Sequence, residues 1–362
     1  MARRALVVGI DFYNGLSPNG DIPDLTNASN DAKAIATLLD KHHSGDDNFG
    51  TEKFIVDSPA KSLTTAELYD HINILFEGVY ESVTFYFAGH GFRDPFTQQD
   101  YLITTDGTFP NYGVPLDYII KLANEAYPRI HNTTIILDCC HAAAIGENAM
   151  FAQGASVVGK GVTVLAGCEA NQVAADGVPG THGLFTSLLI DGLLGQAGDL
   201  FGRVTPASLY NLVDQRLSPI QQRPVYKANV SEFVMLRLAK EKMNRTKIRN
   251  MLNEFKSIDS QYPLSPACEP VEDRGHLKSH KEVKDVKFDK SKQDIYRLMQ
   301  ACFREGMIEP IMTNEAPVLW EDNWPPKKDG SFSMWHASLY STGCQLTSYG
   351  QHFWKLNADG NL

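Results

Sequence analysis

The chain has 362 residues, 43% hydrophobic and 21% charged, with 33 Lys+Arg against 43 Asp+Glu and a formal net charge of −10. These proportions exclude collagen-like, coiled-coil and wholly disordered chains and leave room for about two domains. No apolar run approaches the roughly 20 residues that span a bilayer, and the run Ala5–Ile10 behind Arg3 and Arg4 is closed by Asp11, so a cytoplasmic protein with no membrane partner is expected.

Taken in order, the first 238 residues alternate apolar or β-branched runs with helical patterns. Strands are predicted at 5–10, 53–56, 83–88, 101–104, 133–138, 161–166 and 233–236. Helices are predicted at 30–41, where Ala32, Ile35, Ala36, Leu38 and Leu39 share a stripe, and at 65–80 and 116–126. Thr64 and Glu67 have the spacing of a capping box, a hydroxyl for the orphan N–H groups of the helix and a carboxylate reaching back. Such alternation implies an α/β fold, a mostly parallel sheet with helices on both faces, with ligands at the carboxyl ends of the strands. Residues 240–258 read as a charged helix, and the three prolines between Ser260 and Pro270, with the Lys-rich stretch to Lys292, read as a linker. Helices at 294–305 and 347–357 flank a Trp- and Pro-rich stretch. The expected division is therefore 1–238, 239–293 and 294–362, the last a small C-terminal regulatory or interaction module.

Charge and aromatic content support that division. Residues 1–238 carry 15 Lys+Arg against 26 Asp+Glu, residues 239–362 carry 18 against 17, and Trp320, Trp324, Trp335 and Trp354 all fall in the second part. An acidic front portion argues against nucleic acid and suits a cationic ligand. The stretch Gln345–Trp354 has the shape of a helix at the end of a winged-helix-like module, but the basic excess that DNA demands is missing, so a protein partner is expected. The six cysteines, at 139, 140, 168, 268, 302 and 344, include no C-x-x-C pair, so neither a disulfide framework nor a zinc site is indicated.

Two segments carry chemistry. Thr84–Gly91 is a hydrophobic strand running into Gly-His-Gly, which puts His90 at the strand's carboxyl end between glycines that let a substrate approach the backbone. Ile135–Ala142 is a second such strand, ending in Asp-Cys-Cys-His. A thiol nucleophile and its base need this pairing of strand ends. The bland alternative, a strand-capping histidine and two cysteines packed as small hydrophobes, suits either segment alone better than both together. Side chains alternate along a strand, so Asp138 and Cys140 share a face while Leu137 and Cys139 point into the core. Cys140 is therefore the expected nucleophile.

Phe-Ala-Gly-His-Gly with Leu-Asp-Cys-Cys-His-Ala resembles the caspase superfamily, and metacaspases and prokaryotic caspase-like proteases more than animal caspases. His90 and Cys140 are 50 residues apart, the spacing usual in caspases. Ala5–Ile10, Asn30-Asp31-Ala32, Gly167-Cys168 through Gln172 to Asp176, and Gly183-Leu184-Phe185-Thr186 agree with the same family, over about residues 1–237. The resemblance implies a cysteine endopeptidase in which His90 activates Cys140 and then protonates the leaving amine, and the backbone N–H groups of Gly91 and Cys140 form the oxyanion hole. It also implies a protein or peptide substrate with a basic P1 residue. Animal caspases have Gln two residues before the Cys, but here that position is Asp138, and no Arg occurs between Arg4 and Arg93. Asp31 corresponds to the acidic residue that metacaspases use with the Asp of Asp-x-Cys-His, and a planar guanidinium suits two carboxylates. The alternative role for Asp31 is charge compensation at a helix N-terminus. Ala28 stands where a Cys is common, Ala88, counted with the substrate-binding positions, where a Ser is common, and Ala142-Ala143 where Ser-Gly is usual.

The chemistry itself requires no cofactor. Many metacaspases are activated by Ca²⁺, for which this chain offers Asp94, Asp100, Asp106 and Asp117 but no adjacent Asp pair. Only about twenty residues separate Cys140 from Gly161, too few for a long cleavable linker, with Lys160 as the one Lys or Arg between them; the Lys- and Arg-rich stretch after Lys240 is the better self-cleavage region. Other readings are a pseudo-protease recognition module, which the intact His90 and Cys140 disfavour, a thiol hydrolase that does not cut peptides, and a caspase-like protease with another P1 preference.

Overall fold

The computed structural model describes residues 2–14, 16–17, 20–94, 96–97, 99–108, 110–139, 158–167, 180–217, 224–230, 232–268, 289–311, 334, 337–338 and 342–362. The chain separates into two units, Met1–Lys242 and Met243–Leu362. In chain order the first contains β1 (Arg3–Ile10), β2 (Leu16–Ser17), β3 (Gly20–Asp21), α1 (Ala28–Asp40), β4 (Gly50–Val56), α2 (Thr65–Phe76), β5 (Tyr80–Ala88), β6 (Gly91–Arg93), β7 (Asp100–Thr108), β8 (Asn111–Pro115), α3 (Leu116–Ala126), β9 (Ile130–Asp138), β10 (Val162–Ala166), α4 (Leu184–Asp191), β11 (Arg203–Val204), α5 (Pro206–Arg216), β12 (Val225–Asn229) and β13 (Arg237–Leu238).

Six strands form the central sheet in the order β12–β10–β9–β5–β1–β4, parallel throughout except for β12, which runs against β10. Runs such as Ala-Leu-Val-Val have no polar side because a parallel sheet is covered on both faces. Alternation then sorts them. Leu6, Val8, Phe85, Phe87, Ile135, Leu137 and Val164 pack with α2 and α3, while Ala5, Val7, Tyr86, Ala88, Ile136 and Leu165 pack with α1, α4 and α5. Gly9 lets α1 lie close on β1, since a Cβ there would stand 2.5 Å from the Ala28 carbonyl oxygen and from the Ala32 Cβ. The parallel strands, counted along the chain, stand 2-1-3-4-5, so the order reverses between β1 and β5, where a crevice forms at the carboxyl ends.

Several boundaries differ from the sequence reading. The helix expected to reach residue 80 stops at Phe76, because Gly78 turns the chain at φ +89° and Tyr80 already belongs to β5. Its start is as expected, with the Glu67 N–H donating to Thr64 Oγ1 at 3.3 Å and the Thr64 N–H to Glu67 at 2.8 Å. The run at 101–104 lies in β7, outside the central sheet. It pairs antiparallel with β6 and β8, since the short connection from Arg93 to Asp100 permits a hairpin but no parallel crossover. The strand expected at 233–236 is absent. Phe233 is 62% exposed, only Val234 and Leu236 of that run are buried, and the last strand of the sheet is β12. α4 and α5 are helices beyond those expected, and Thr205, Pro206 and Ser208 give α5 a capping box and a proline in its first turn.

The ends of this unit meet. Arg3 donates to the Met235 carbonyl oxygen, Asn48 Nδ2 to that of Leu236 at 2.8 Å, and the His43 N–H to that of Leu238 at 2.8 Å. Arg237 is buried and donates from Nη1 to the Leu193 carbonyl oxygen at 2.7 Å and from Nε to that of Lys41 at 2.9 Å.

The second unit contains α6 (Arg245–Asn253), β14 (Gln261–Tyr262), α7 (Lys290–Arg304), β15 (Ile308–Pro310), β16 (Cys344–Leu346) and α8 (Ser348–Ala358). Its strands form a small antiparallel sheet, β14–β16–β15. α6 buries Ile248, Met251 and Leu252, and Trp354 Nε1 donates to the Phe255 carbonyl oxygen at 2.9 Å, so the segment after Lys242 folds with this unit. The Cys302 and Cys344 thiols are pushed up to about 12 by burial. Among the described residues, no helix is long and apolar enough to cross a membrane.

Candidate active site

β5 and β9 are neighbours in register, Ala88 opposite Asp138, and the Gly89 N–H reaches the Asp138 carbonyl oxygen at 3.3 Å. His90 therefore leaves the sheet beside the end of β9. Its position is fixed from β1's side. A Cβ on Gly89 would lie 2.6 Å from the Tyr13 hydroxyl, so glycine lets that phenol approach and accept the His90 backbone N–H at 2.8 Å. The two rings stand 4.9 Å apart at 53°. Burial raises the Tyr13 pKa, which keeps the phenol protonated. The segment after β1 is itself pinned, the Tyr13 N–H donating to Asp24 Oδ1 at 3.0 Å and the Leu25 N–H to the Asp11 carbonyl oxygen at 2.7 Å.

That pinning places the Pro23 carbonyl oxygen 2.8 Å from His90 Nε2. A carbonyl only accepts, so Nε2 carries the hydrogen, and in the neutral ring Nδ1 holds the lone pair. Gly91, the first residue of β6, pairs with Leu102.

On β9 the alternation is as the sequence implies. Cys139 is buried with Leu137 in the core on the α2 and α3 side. Asp138 lies at the other face, where Thr186 Oγ1 in the first turn of α4 donates to its Oδ2 at 2.6 Å. Because the single Thr186 proton is used there, the buried Tyr86 hydroxyl, 2.7 Å from Thr186 Oγ1, donates to it. Burial, with Asp138 and Asp31 nearby, raises the Tyr86 pKa well above its usual value.

Asp31 sits in the first turn of α1, where a negative charge is favoured, and is 3% exposed. Its Oδ1 lies 2.7 Å from His182 Nδ1, and the Gly183 N–H points at both oxygens, at 3.3 and 3.2 Å. Asp31 and Asp138 meet at Gly183, where a Cβ would stand 3.2 Å from Asp31 Oδ2 and 3.4 Å from Asp138 Oδ2. Ala88, buried beside Asp138 in the register, adds a small apolar wall. Cys140, Ala142, Ala143 and the stretch 168–176 lie outside the described residues.

Tyr13, Pro23 and His182 escaped the sequence reading. Gly89-His90-Gly91 was visible, but the partners of the imidazole come from the irregular loop after β1, which carries no periodic signal. Three of the carboxylates named for Ca²⁺ have partners within the protein. Asp94 accepts from the Phe96 N–H at 2.8 Å, Asp106 from the Thr65 N–H and the Thr104 hydroxyl at 2.8 Å each, and Asp100 faces Arg93 at 3.5 Å. Among the described residues, no group of three or more His, Cys, Asp or Glu side chains is arranged to hold a metal ion.

A family model described as a caspase domain matches residues 2–255. No curated protein matches the chain. Among solved structures, protein GSU0716 from Geobacter sulfurreducens is similar at 17% identity and a TM-score of 0.47, over 67% of this chain and 98% of that one. Caspase-1 from Spodoptera frugiperda is similar at 11% identity and a TM-score of 0.45, over 67% of this chain and 91% of that one.

Proposed function

This chain belongs to the caspase-domain family of cysteine peptidases, and from that premise we propose that it is an endopeptidase in which His90 and Cys140 act as the dyad and Asp31 and Asp138 select Arg or Lys at P1. The observation that carries the reading is the fixing of His90 beside the end of β9, with Nε2 tied to the Pro23 carbonyl at 2.8 Å. That bond leaves Nδ1 as the base. It takes the thiol proton of Cys140, two residues beyond Asp138, and the thiolate sulfur attacks the scissile carbonyl carbon. The backbone N–H groups of Gly91 and Cys140 receive the developing oxyanion. The imidazolium then gives its proton to the leaving amine, the C–N bond breaks, and a water activated by the same Nδ1 releases the acyl group from sulfur.

Specificity follows from charge. Two carboxylates converging at Gly183 favour a cationic side chain and disfavour an acidic one, and a planar guanidinium engages two carboxylates better than an ammonium does. This is the metacaspase-like pattern. Cys268, Cys302 and Cys344 are thiols, which suits a reducing cytoplasm. The dyad and pocket residues all precede Met243, so the second unit, with its own core, serves regulation or a protein partner. A chain ending at Lys242 should keep hydrolysing small P1-Arg peptides; a folded but inactive product would assign the second unit a catalytic part.

The deciding experiment compares wild type with Cys140→Ala on peptides carrying Arg, Lys, Gln or Asp at P1. Cleavage after Arg, then Lys, and none by the variant is expected. A preference for Asp, or undiminished cleavage by Cys140→Ala, would overturn the proposal.

A further inference from the structure

Gly183 adopts φ −59° and ψ 151°, a backbone conformation open to any L-residue, so conformational freedom does not explain a glycine here. Its missing side chain does. Apart from its chain neighbours, the only heavy atoms among the described residues within 4 Å of its absent Cβ are Asp31 Oδ2 and Asp138 Oδ2. A methyl group at that point would touch both carboxylate oxygens, tightly at Asp31 Oδ2 and in ordinary contact at Asp138 Oδ2, and would fill the space between two negative charges.

The same turn holds both carboxylates. His182 Nδ1 and the Gly183 N–H bind Asp31, at 2.7 Å and at 3.2 to 3.3 Å, and Thr186 Oγ1 binds Asp138 at 2.6 Å. One five-residue segment thus sets the spacing of two acids that come from α1 and β9. Through the point they share, their Oδ2 atoms are at most about 7 Å apart, a gap that one guanidinium can bridge with an N–H···O bond to each side.

We propose that Gly183 is a specificity-determining residue, keeping open the space between Asp31 and Asp138 that the P1 cation enters, and that His182 is a positioning residue that holds Asp31 at the edge of that space. The inference rests on the reading of Asp31 and Asp138 as the P1 pair.

The test uses the full chain and P1-Arg and P1-Gln peptides. Gly183→Ala should lower the Arg-over-Gln preference by about 30-fold or more, chiefly through KM for the Arg peptide, with the melting midpoint kept within a few degrees. His182→Ala should raise KM for the Arg peptide about tenfold, and His182→Asn, whose amide nitrogen falls near the position of Nδ1, should recover most of it. An Arg preference that survives Gly183→Ala unchanged overturns the role of Gly183. A His182→Asn variant as impaired as His182→Ala overturns the positioning role, and it does so even where Gly183→Ala fails to fold. A wild-type enzyme indifferent to P1 charge would instead overturn the underlying reading, and this inference with it.

Discussion

The two faces of the central sheet are packed by different means. Toward α2 and α3 the sheet presents Leu6, Val8, Phe85, Phe87, Ile135 and Leu137, met by Leu68, Ile72, Leu75 and Ile119. Toward α1 the contact combines Val7, Ile35 and Leu39 with a stripe of small residues, Ala5, Ala28, Ala32, Ala36 and Ala88, with Gly9 beneath. Bulky side chains fill a wide gap, whereas small ones let the helix backbone come close. That closeness brings the first turn of α1 to the strand ends, so Asp31 reaches the same turn as Asp138. Of the polar groups on this side, buried Tyr86, Thr186 and Asp31 and half-buried Asp138 are each hydrogen-bonded. On the proposed reading, the first face serves stability and the second recognition.

Substitutions should separate the two assignments. The largest expected effect is at the strand ends: His90→Ala should reduce kcat/KM by at least about a thousandfold while the melting midpoint barely moves. Next comes the apolar face. Phe85→Ala should cost about 3–5 kcal/mol of stability, measured by urea unfolding, yet the molecules that remain folded should cleave P1-Arg peptides at close to the wild-type rate; lost chemistry in a folded variant would show that the faces are not separable. On the other face, Asp31→Ala should lose about 2–5 kcal/mol of transition-state stabilisation, or roughly 30- to several-thousand-fold in kcat/KM for P1-Arg peptides, with a much smaller change for P1-Gln. Full activity of that variant on P1-Arg would break the comparison outright. The smallest effect is at Cys139, which borders the proposed nucleophile in sequence but packs with Leu137. Cys139→Ala should cost about 1 kcal/mol in unfolding experiments and leave most of the cleavage, and a folded, inactive Cys139→Ala would move the nucleophile by one residue.

What could be read from the sequence follows the same physical line. β1, β5, β9 and β10 are apolar on both sides, and such runs declare themselves whatever surrounds them. The parity of Asp138 against Leu137 and Cys139 needed only the period of a strand. The run at 233–236 misled because a few apolar residues resemble a strand until their neighbours are known, and Leu236 is buried without one. β12, with Tyr226, Lys227 and Asn229, hid because an edge strand with one partner tolerates polar residues. The ties on His90 were not legible either. A backbone carbonyl such as that of Pro23 belongs to every residue, so its use as a hydrogen-bond acceptor leaves no trace in composition or spacing.

The meeting of the unit's two ends also sets a clock. Arg3 finds Met235 across 232 positions of chain, and Asp31 finds His182 across 151. At a synthesis rate of about 5–20 residues per second, roughly 8 to 30 s separate the emergence of Asp31 from that of the turn that holds it, and roughly 12 to 46 s separate Arg3 from its partner. For roughly 5 to 18 s of it, between His90 and His182, a nascent chain carries the histidine strand without the turn that pairs its two acids, so the cleft is among the later parts of the unit to be assembled at the ribosome.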